Sequence, residues 1–228
     1  AGVPDGVFNV VHGFGGDSAG AFLTEHPLVD GFTFTGETGT GEVIMKAAAK
    51  GIRDISLELG GKNAGLVFAD CDMDKAIEGT MRSAFANCGQ VCLGTERVYV
   101  ERSIFDEFVG RLKEAAEGMK IGPPDDAEAD MGPLVSLDHR EKVLSYYQKA
   151  VDDGATVVTG GGVPDMPAEL AGGAWVQPTI WTGLPESSTV ITDEIFGPCV
   201  HLCPFDTEEE AIELANSLPY GLASAIWS

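Results

Sequence analysis

Positive charge is scarce in this 228-residue chain: 14 Lys and Arg stand against 36 Asp and Glu, a formal net charge of −22. Nucleic acids and anionic membranes recruit proteins through a basic face. Neither is therefore an expected partner, and a large polyanionic ligand would find few anchors. The imbalance reads either as a well-solvated acidic surface or as adaptation to high salt, where ions screen self-repulsion. No apolar run approaches the roughly 20 residues needed to span a bilayer. The opening Ala1-Gly2-Val3-Pro4-Asp5-Gly6 lacks the basic and apolar regions of a signal peptide, so a cytoplasmic location is expected. An initiator Met is missing, and the chain stops inside the apolar stretch Ala225-Ile226-Trp227-Ser228. Both ends read as cut, which makes a piece of a longer protein the expectation. Cysteine is sparse and odd in number, five in all, so no disulfide framework is expected. Cys88 and Cys92 form one C-x3-C pair, and Cys199 and Cys203 another with His201 between them. Structural zinc uses tighter C-x2-C knuckles, so no metal is expected. Internal repeats and low-complexity segments are missing too.

What remains is the composition of an ordinary globular protein, 44% apolar and 22% charged, and a length that suits one large domain or two small ones. Along the chain, strands and helices alternate. Val7–Val11 reads as a short strand before the Gly-rich turn His12–Gly16, and Asp17-Ser18 as the cap of a helix toward Glu25. Gly31–Thr35 is rich in β-formers, Thr40–Lys50 suits a helix, and Ile55–Leu59 and Ala64–Phe68 are further strands. Asp72 or Asp74 opens a helix toward Phe85, Arg97–Val100 is a strand, and Ser103 caps a helix ending near Gly118. Leu137–Val151 suits a helix and Thr156–Thr159 a strand. A Gly/Pro-rich connection, Gly160 to Gly173, leads to Trp175–Ile180. The turn Ile195–Pro198, a strand and a helix over Thr207–Asn216 complete the series. Such alternation implies a mostly parallel α/β sheet.

Three segments carry candidate chemistry. Thr35-Gly36-Glu37-Thr38-Gly39-Thr40-Gly41 lies between a strand and a helix, where glycines let backbone N–H groups approach a phosphate at the helix N-terminus. Its spacing departs from G-x-G-x-x-G, Glu37 is an unfriendly charge beside a pyrophosphate, and an ordinary βα turn fits as well. In Leu57-Glu58-Leu59-Gly60-Gly61-Lys62 a carboxylate at a strand end, half-buried by its neighbours, would have a pKa raised toward that of a general base. A surface Glu is the competing reading. In Asn87-Cys88-Gly89-Gln90-Val91-Cys92-Leu93-Gly94 a thiol on a Gly-containing loop can be presented to a cleft with N–H groups beside it. A free cysteine is otherwise just a small buried hydrophobe.

Together these residues resemble the aldehyde dehydrogenase superfamily over the whole chain. The family's F-T-G-x-T-x-x-G is present as Phe34 to Gly41, its E-L-G-G-K as Glu58 to Lys62, its N-x-G-Q-x-C as Asn87 to Cys92, and its E-I-F-G-P as Glu194 to Pro198. Four motifs in the family's order, with its separation between Glu58 and Cys92, are far more specific than any one alone. The resemblance implies the tail of a Rossmann-like NAD(P)-binding domain over residues 1–60 and most of an α/β catalytic domain over 61–228. It implies that Cys92 attacks an aldehyde to give a thiohemiacetal whose oxyanion meets the Cys92 N–H. Hydride transfer to the nicotinamide then leaves a thioester, and Glu58 activates the water that hydrolyses it. Gly36, Glu37, Leu59 and Gly60 would lie along the cofactor, Glu194 would hold the nicotinamide ribose, and Phe196 would flank the ring. The cofactor implied is NAD, with NADP the alternative. The partners implied are a small-molecule aldehyde and a second or further copy of the parent protein, a homodimer or homotetramer. The runs Gly89–Glu101, Gly161–Pro167 and Gly173–Trp181, with the Glu of G-E-T-G-T-G, look like 2-hydroxymuconic semialdehyde dehydrogenases of aromatic meta-cleavage pathways. Other semialdehyde or betaine-type enzymes are the alternative. Cys88 reads as a packing residue rather than a resolving thiol.

Two further readings differ in kind. A CoA-acylating or phosphorylating relative would replace water as acyl acceptor, which the intact Glu58 motif opposes. A recruited, non-catalytic relative would have no chemical reason to keep both Cys92 and Glu58. Within the resemblance, the Asn that supplies a second oxyanion donor and the residues that read the adenosine ribose would precede Ala1. Arg97 either anchors the nucleophile loop or meets a substrate carboxylate. Because losing one oxyanion donor costs on the order of 10²–10³ in rate, the 228 residues alone are expected to be inactive. Cofactor reduction followed on the isolated segment checks this, and clear turnover would refute it.

Overall fold

In the computed structural model, which describes residues 2–228, the chain divides into two units, Ala1–Gly60 and Gly61–Ser228. The first contains α1 (Ala19–Glu25), β1 (Gly31–Thr35), α2 (Thr38–Ala49) and β2 (Asp54–Glu58). Strands β1 and β2 pair in parallel, Gly31 opposite Asp54 and Thr35 opposite Glu58, with α2 as the crossover. Parallel neighbours need such a connection because their ends lie at opposite edges. Both strands alternate exposed and half-buried residues. Arg53 ties the unit together: its guanidinium lies 4.7 Å over the Phe32 ring and donates to the carbonyls of Thr24 (2.8 Å) and Ala47 (2.7 Å). The expected strand at Val7–Val11 does not form. No described strand pairs with that segment to take up its N–H and C=O groups, and Val7, Phe8, Val10 and Val11 remain exposed.

The second unit is a six-stranded sheet in the order β5-β6-β7-β4-β3-β8, built from β3 (Asn63–Val67), β4 (Thr95–Glu101), β5 (Thr156–Thr159), β6 (Thr179–Thr182), β7 (Cys199–Phe205) and β8 (Ser224–Trp227). Only the β5–β6 pair is antiparallel. Position in the sheet explains each strand's composition. The interior strands β3 and β4 are buried nearly throughout, as parallel strands covered on both faces must be. The edge strand β8 alternates half-buried and exposed residues. Val98 and Val100 of β4 join Val200 and Leu202 of β7 on one face, against α3 (Met73–Phe85) and α4 (Phe105–Glu117). Tyr99 turns to the other face, with Ala64, Leu66, Phe205 and Ala211 of α7 (Glu208–Ala215). That second face also carries Trp181, covered by α5 (Leu137–Asp152) and the single turn α6 (Thr189–Thr192).

The helices show why these segments fold locally. Asp72 caps α3 by accepting from the Lys75 N–H (3.3 Å), and Ser136 caps α5 by accepting from the His139 N–H (3.1 Å). In α4, Phe108, Leu112 and Ala116 recur every four residues and are fully buried. Ser103 does not cap that helix as expected. It sits in a 3₁₀ turn, Arg102–Ile104, and its hydroxyl donates instead to Glu101 (2.9 Å). Among the described residues no helix is long and apolar enough to cross a membrane. No group of three His, Cys, Asp or Glu side chains among them is placed to hold a metal ion.

His201, midway along β7, is buried and accepts a hydrogen bond at Nε2 from the Leu184 N–H (3.2 Å). Burial, helped by the nearby Lys62 charge, lowers its pKa to about 4. A base that is neutral when folded and ordinary when unfolded binds fewer protons in the native state. Stability is therefore present above the unfolded value of about 6.5 and is lost as pH falls toward 4, by roughly 3 kcal/mol. Urea unfolding at pH 7 and pH 4.5 should show this loss in the wild type and a smaller one in His201→Gln. Equal losses would refute the assignment.

Candidate active site

The Cys92 loop follows α3 through a sharp reversal. Asn87, Cys88 and Gly89 adopt φ of 50°, 59° and 68°, a left-handed run that only local hydrogen bonding and close packing can hold. The Asn87 side chain donates to the Gln90 carbonyl (3.0 Å), and the Gln90 Oε1 accepts from the Val135 N–H (3.0 Å). Cys88 is buried, its thiol donates to the Gly132 carbonyl (3.2 Å), and burial pushes its pKa up, which suits the packing role expected of it. Gly89 is required: a Cβ there would lie 2.0 Å from the Gly197 oxygen. The Cys92 loop thus lies backbone to backbone against the Glu194–Pro198 segment.

Cys92 itself is half-buried in a turn closed by the Gly94 N–H donating to the Val91 carbonyl (2.8 Å). The N–H groups of Cys92 and Leu93 have no hydrogen-bond partner among the described residues. Gly61 links Cys92 to Glu194. Its N–H donates to Glu194 Oε1 (3.0 Å), and a Cβ on it would stand 3.1 Å from the Cys92 oxygen. Burial raises the pKa of Glu194; the Gly61 N–H opposes the rise, and the Glu96 charge adds to it. The other Glu194 oxygen has no partner among the described residues, so it is open to a hydroxyl donor. Phe196 has φ of 62°, and its carbonyl accepts from His139 Nε2 (2.7 Å), which places the proton of that imidazole on Nε2.

Beneath the site lies a buried ion pair absent from the sequence reading. Lys62 Nζ and Glu96 are in direct contact, Lys62 fully buried and Glu96 nearly so. The Glu96 carboxylate also accepts from the Ile195 N–H (3.1 Å) and the Phe196 N–H (2.9 Å). One carboxylate therefore joins the E-L-G-G-K lysine, the strand after Cys92 and the loop carrying Glu194 and Phe196. Lys62 carried a faint signal, a cation entering an apolar strand, but nothing in the sequence paired it with Glu96. Arg97 resolves as an anchor. It is buried, and its guanidinium donates to the carbonyls of Lys62 (2.9 Å), Leu214 (3.0 Å) and Ala215 (3.2 Å) and to the Tyr99 hydroxyl (3.1 Å), which ties three segments of the second unit together.

Cys92, Glu194 and Phe196 belong to the second unit; Gly36, Glu37, Glu58, Leu59 and Gly60 belong to the first. Glu58 is not half-buried as expected. With Asp54 and Ser56 it takes the exposed side of the β2 alternation, because among the described residues no helix of its unit packs over that side. Gly36 donates its N–H to the Glu58 carbonyl (3.0 Å), and a Cβ on Gly36 would strike the Phe34 ring. Glu37 caps α2 by accepting from the Thr40 N–H (3.3 Å), while the N–H groups of Thr38 and Gly39 have no partner among the described residues. Leu59 packs where a Cβ on Gly41 would fall. A cavity of about 670 Å³ runs between α1 and α2, lined by Gly16, Gly20 and Ala21 on one side and Val43 and Ile44 on the other. The sequence reading missed it, although the small residues of α1 were a legible sign of close approach.

The model of the aldehyde dehydrogenase family matches residues 1–228. The whole chain is 81% identical to 47% of the 2-hydroxymuconic semialdehyde dehydrogenase of Pseudomonas putida. It is 53% identical over 227 residues to 46% of the 2-aminomuconic 6-semialdehyde dehydrogenase of a Pseudomonas species. It also superposes over its full length on 45% of a betaine aldehyde dehydrogenase from Staphylococcus aureus, solved in complex with NAD+, with a TM-score of 0.94 at 40% identity. The chain spans about half the length of the curated relatives it matches.

Removing one partner of a buried pair strands the other charge, at a cost of about 3–5 kcal/mol. Lys62→Met should destabilise the protein by that amount, and Lys62→Met with Glu96→Gln by much less. Paired chemical denaturation curves check the order, and equal losses would contradict the arrangement.

Proposed function

Because the chain belongs to the aldehyde dehydrogenase family, we propose that it is the nucleophile-bearing part of an NAD-dependent 2-hydroxymuconic semialdehyde dehydrogenase. The observation that carries this reading is the Cys92 loop: a half-buried thiol beside an unpartnered N–H, one glycine away from Glu194. The identity to the Pseudomonas putida enzyme supports the substrate class.

The residues present suit a dinucleotide. The cavity between α1 and α2 offers apolar walls of small side chains to a flat ring. The unpartnered N–H groups of Thr38 and Gly39 at the start of α2 suit a pyrophosphate, with Gly36, Glu37, Leu59 and Gly60 around them. Glu37 already serves as a helix cap, so its charge is partly compensated there. The free oxygen of Glu194 suits a ribose hydroxyl, and Phe196 the nicotinamide face. When bound, NAD supplies the hydride acceptor.

The chain's own residues would do the rest. The Cys92 thiolate attacks the aldehyde carbon, and the Cys92 N–H donates to the oxygen that becomes negative. After oxidation the acyl group remains on sulfur as a thioester. Glu58 takes a proton from water, which attacks the thioester and releases the carboxylic acid and the free thiol. An exposed carboxylate can take that role only where substrate and cofactor exclude bulk water. Hydrolysis, rather than acyl transfer to CoA or phosphate, follows from Glu58. The parent would work in the cytoplasm as a homodimer or homotetramer.

The test uses the full-length parent with NAD and 2-hydroxymuconic semialdehyde, followed by nicotinamide absorbance. Cys92→Ala should abolish turnover. Glu58→Gln should keep a burst of about one equivalent per site while steady-state turnover falls by about 10²–10⁴-fold. Wild-type turnover of a simple aliphatic aldehyde alone would discard the substrate, and a Glu58→Gln enzyme at full speed would discard the base.

A further inference from the structure

Asn63, the first residue of β3, is buried and makes three hydrogen bonds. Its Nδ2 donates to the carbonyls of both Cys92 and Gly94 (2.7 Å each), and its Oδ1 accepts from the Ala223 N–H (3.0 Å). A primary amide has two donor hydrogens, and here each is committed to the nucleophile loop. The third bond ties the amide to the segment just before β8, so the side chain cannot turn away.

This has a geometric consequence. The described residues contain no cis peptide bond, and in a planar trans peptide the C=O and the following N–H point in opposite directions. The Val91 carbonyl is held inside the turn by the Gly94 N–H, and the Cys92 carbonyl is held against Asn63. Their peptide partners, the N–H groups of Cys92 and Leu93, must therefore point away from both anchors. Those are the two N–H groups left without a partner. Without Asn63, the Cys92 and Gly94 carbonyls would be free to rotate toward any negative charge on the reacting oxygen and repel it.

We propose that Asn63 is a positioning residue for Cys92: by drawing the carbonyls at 92 and 94 to one side, it sets the direction of the Leu93 N–H and holds the backbone that carries the Cys92 thiol, while the Gly94 N–H fixes the neighbouring Cys92 N–H. The role rests on the reaction proposed above, but it is read on the thiol itself. In Asn63→Asp the carboxylate keeps the acceptor for Ala223 but loses both donors, and it sets a negative charge against two carbonyl oxygens. Gly61→Ala retains all three hydrogen-bonding groups and instead wedges a methyl between Asn63 Oδ1 (2.9 Å) and the Cys92 oxygen (3.1 Å). It carries the test should Asn63→Asp not fold.

The experiment measures alkylation of Cys92 by iodoacetamide across pH in the full-length protein, together with kcat and KM for the aldehyde. Alkylation needs no aldehyde turnover, so it tests Asn63 even if the substrate assignment fails. Asn63→Asp should move the alkylation profile to higher pH and slow the reaction about tenfold at neutrality. It should also lower kcat at least about 10²-fold, the scale of a lost oxyanion donor, with a smaller change in KM. Gly61→Ala should lower kcat in the same sense. A folded Asn63→Asp protein whose alkylation profile overlays the wild type, or whose kcat stays within about threefold, would overturn the proposal.

Discussion

The second unit is organised around one buried carboxylate. Glu96 meets Lys62 and accepts the N–H groups of Ile195 and Phe196. Two charges taken out of water are tolerable only when paired and when their remaining hydrogen-bonding sites are used. Here the pair uses them on the loop that carries Glu194 and Phe196. The strand that begins after the Cys92 loop, the lysine that closes E-L-G-G-K and the E-I-F-G-P segment thus share one electrostatic knot. None can move without leaving a charge or an N–H group unsatisfied.

Around that knot the loops are locked by backbone rather than by bulky side chains. Gly89 lies against Gly197 so closely that no Cβ could intervene. Gly61 sits between Glu194 and the Cys92 carbonyl. Asn63 and Arg97 act as buried brackets, one holding carbonyls of the Cys92 loop and the other those at the end of α7. Among the described residues, the arrangement leaves the Cys92 thiol, two N–H groups and one carboxylate oxygen without a hydrogen-bond partner in one small region. Their hydrogen-bonding capacity is therefore directed outward rather than spent within the fold.

Local pattern carried a long way in this chain. The β-rich run at Gly31–Thr35, the helix ending near Gly118, the helix near Leu137–Val151 and the cap at Asp72 each depend on residues a turn or two apart, so each was legible. The failures share a cause. Val7–Val11 has the side chains of a strand but no neighbour, and Ser103 has the chemistry of a cap but a better partner in Glu101. Both were decided by what lay next to them in space. Glu58 was legible as a motif residue and misjudged as half-buried, since burial of a strand residue depends on what packs over its face of the sheet.

By itself, the sequence determined the alternating α/β character and the four motifs, because these are written in neighbouring residues. The tertiary structure alone decided that Glu96 pairs with Lys62, that Asn63 holds Cys92, and that Arg97 is an anchor rather than a substrate ligand. These contacts join residues far apart along the chain, and no local spacing encodes which partner a buried polar group will find.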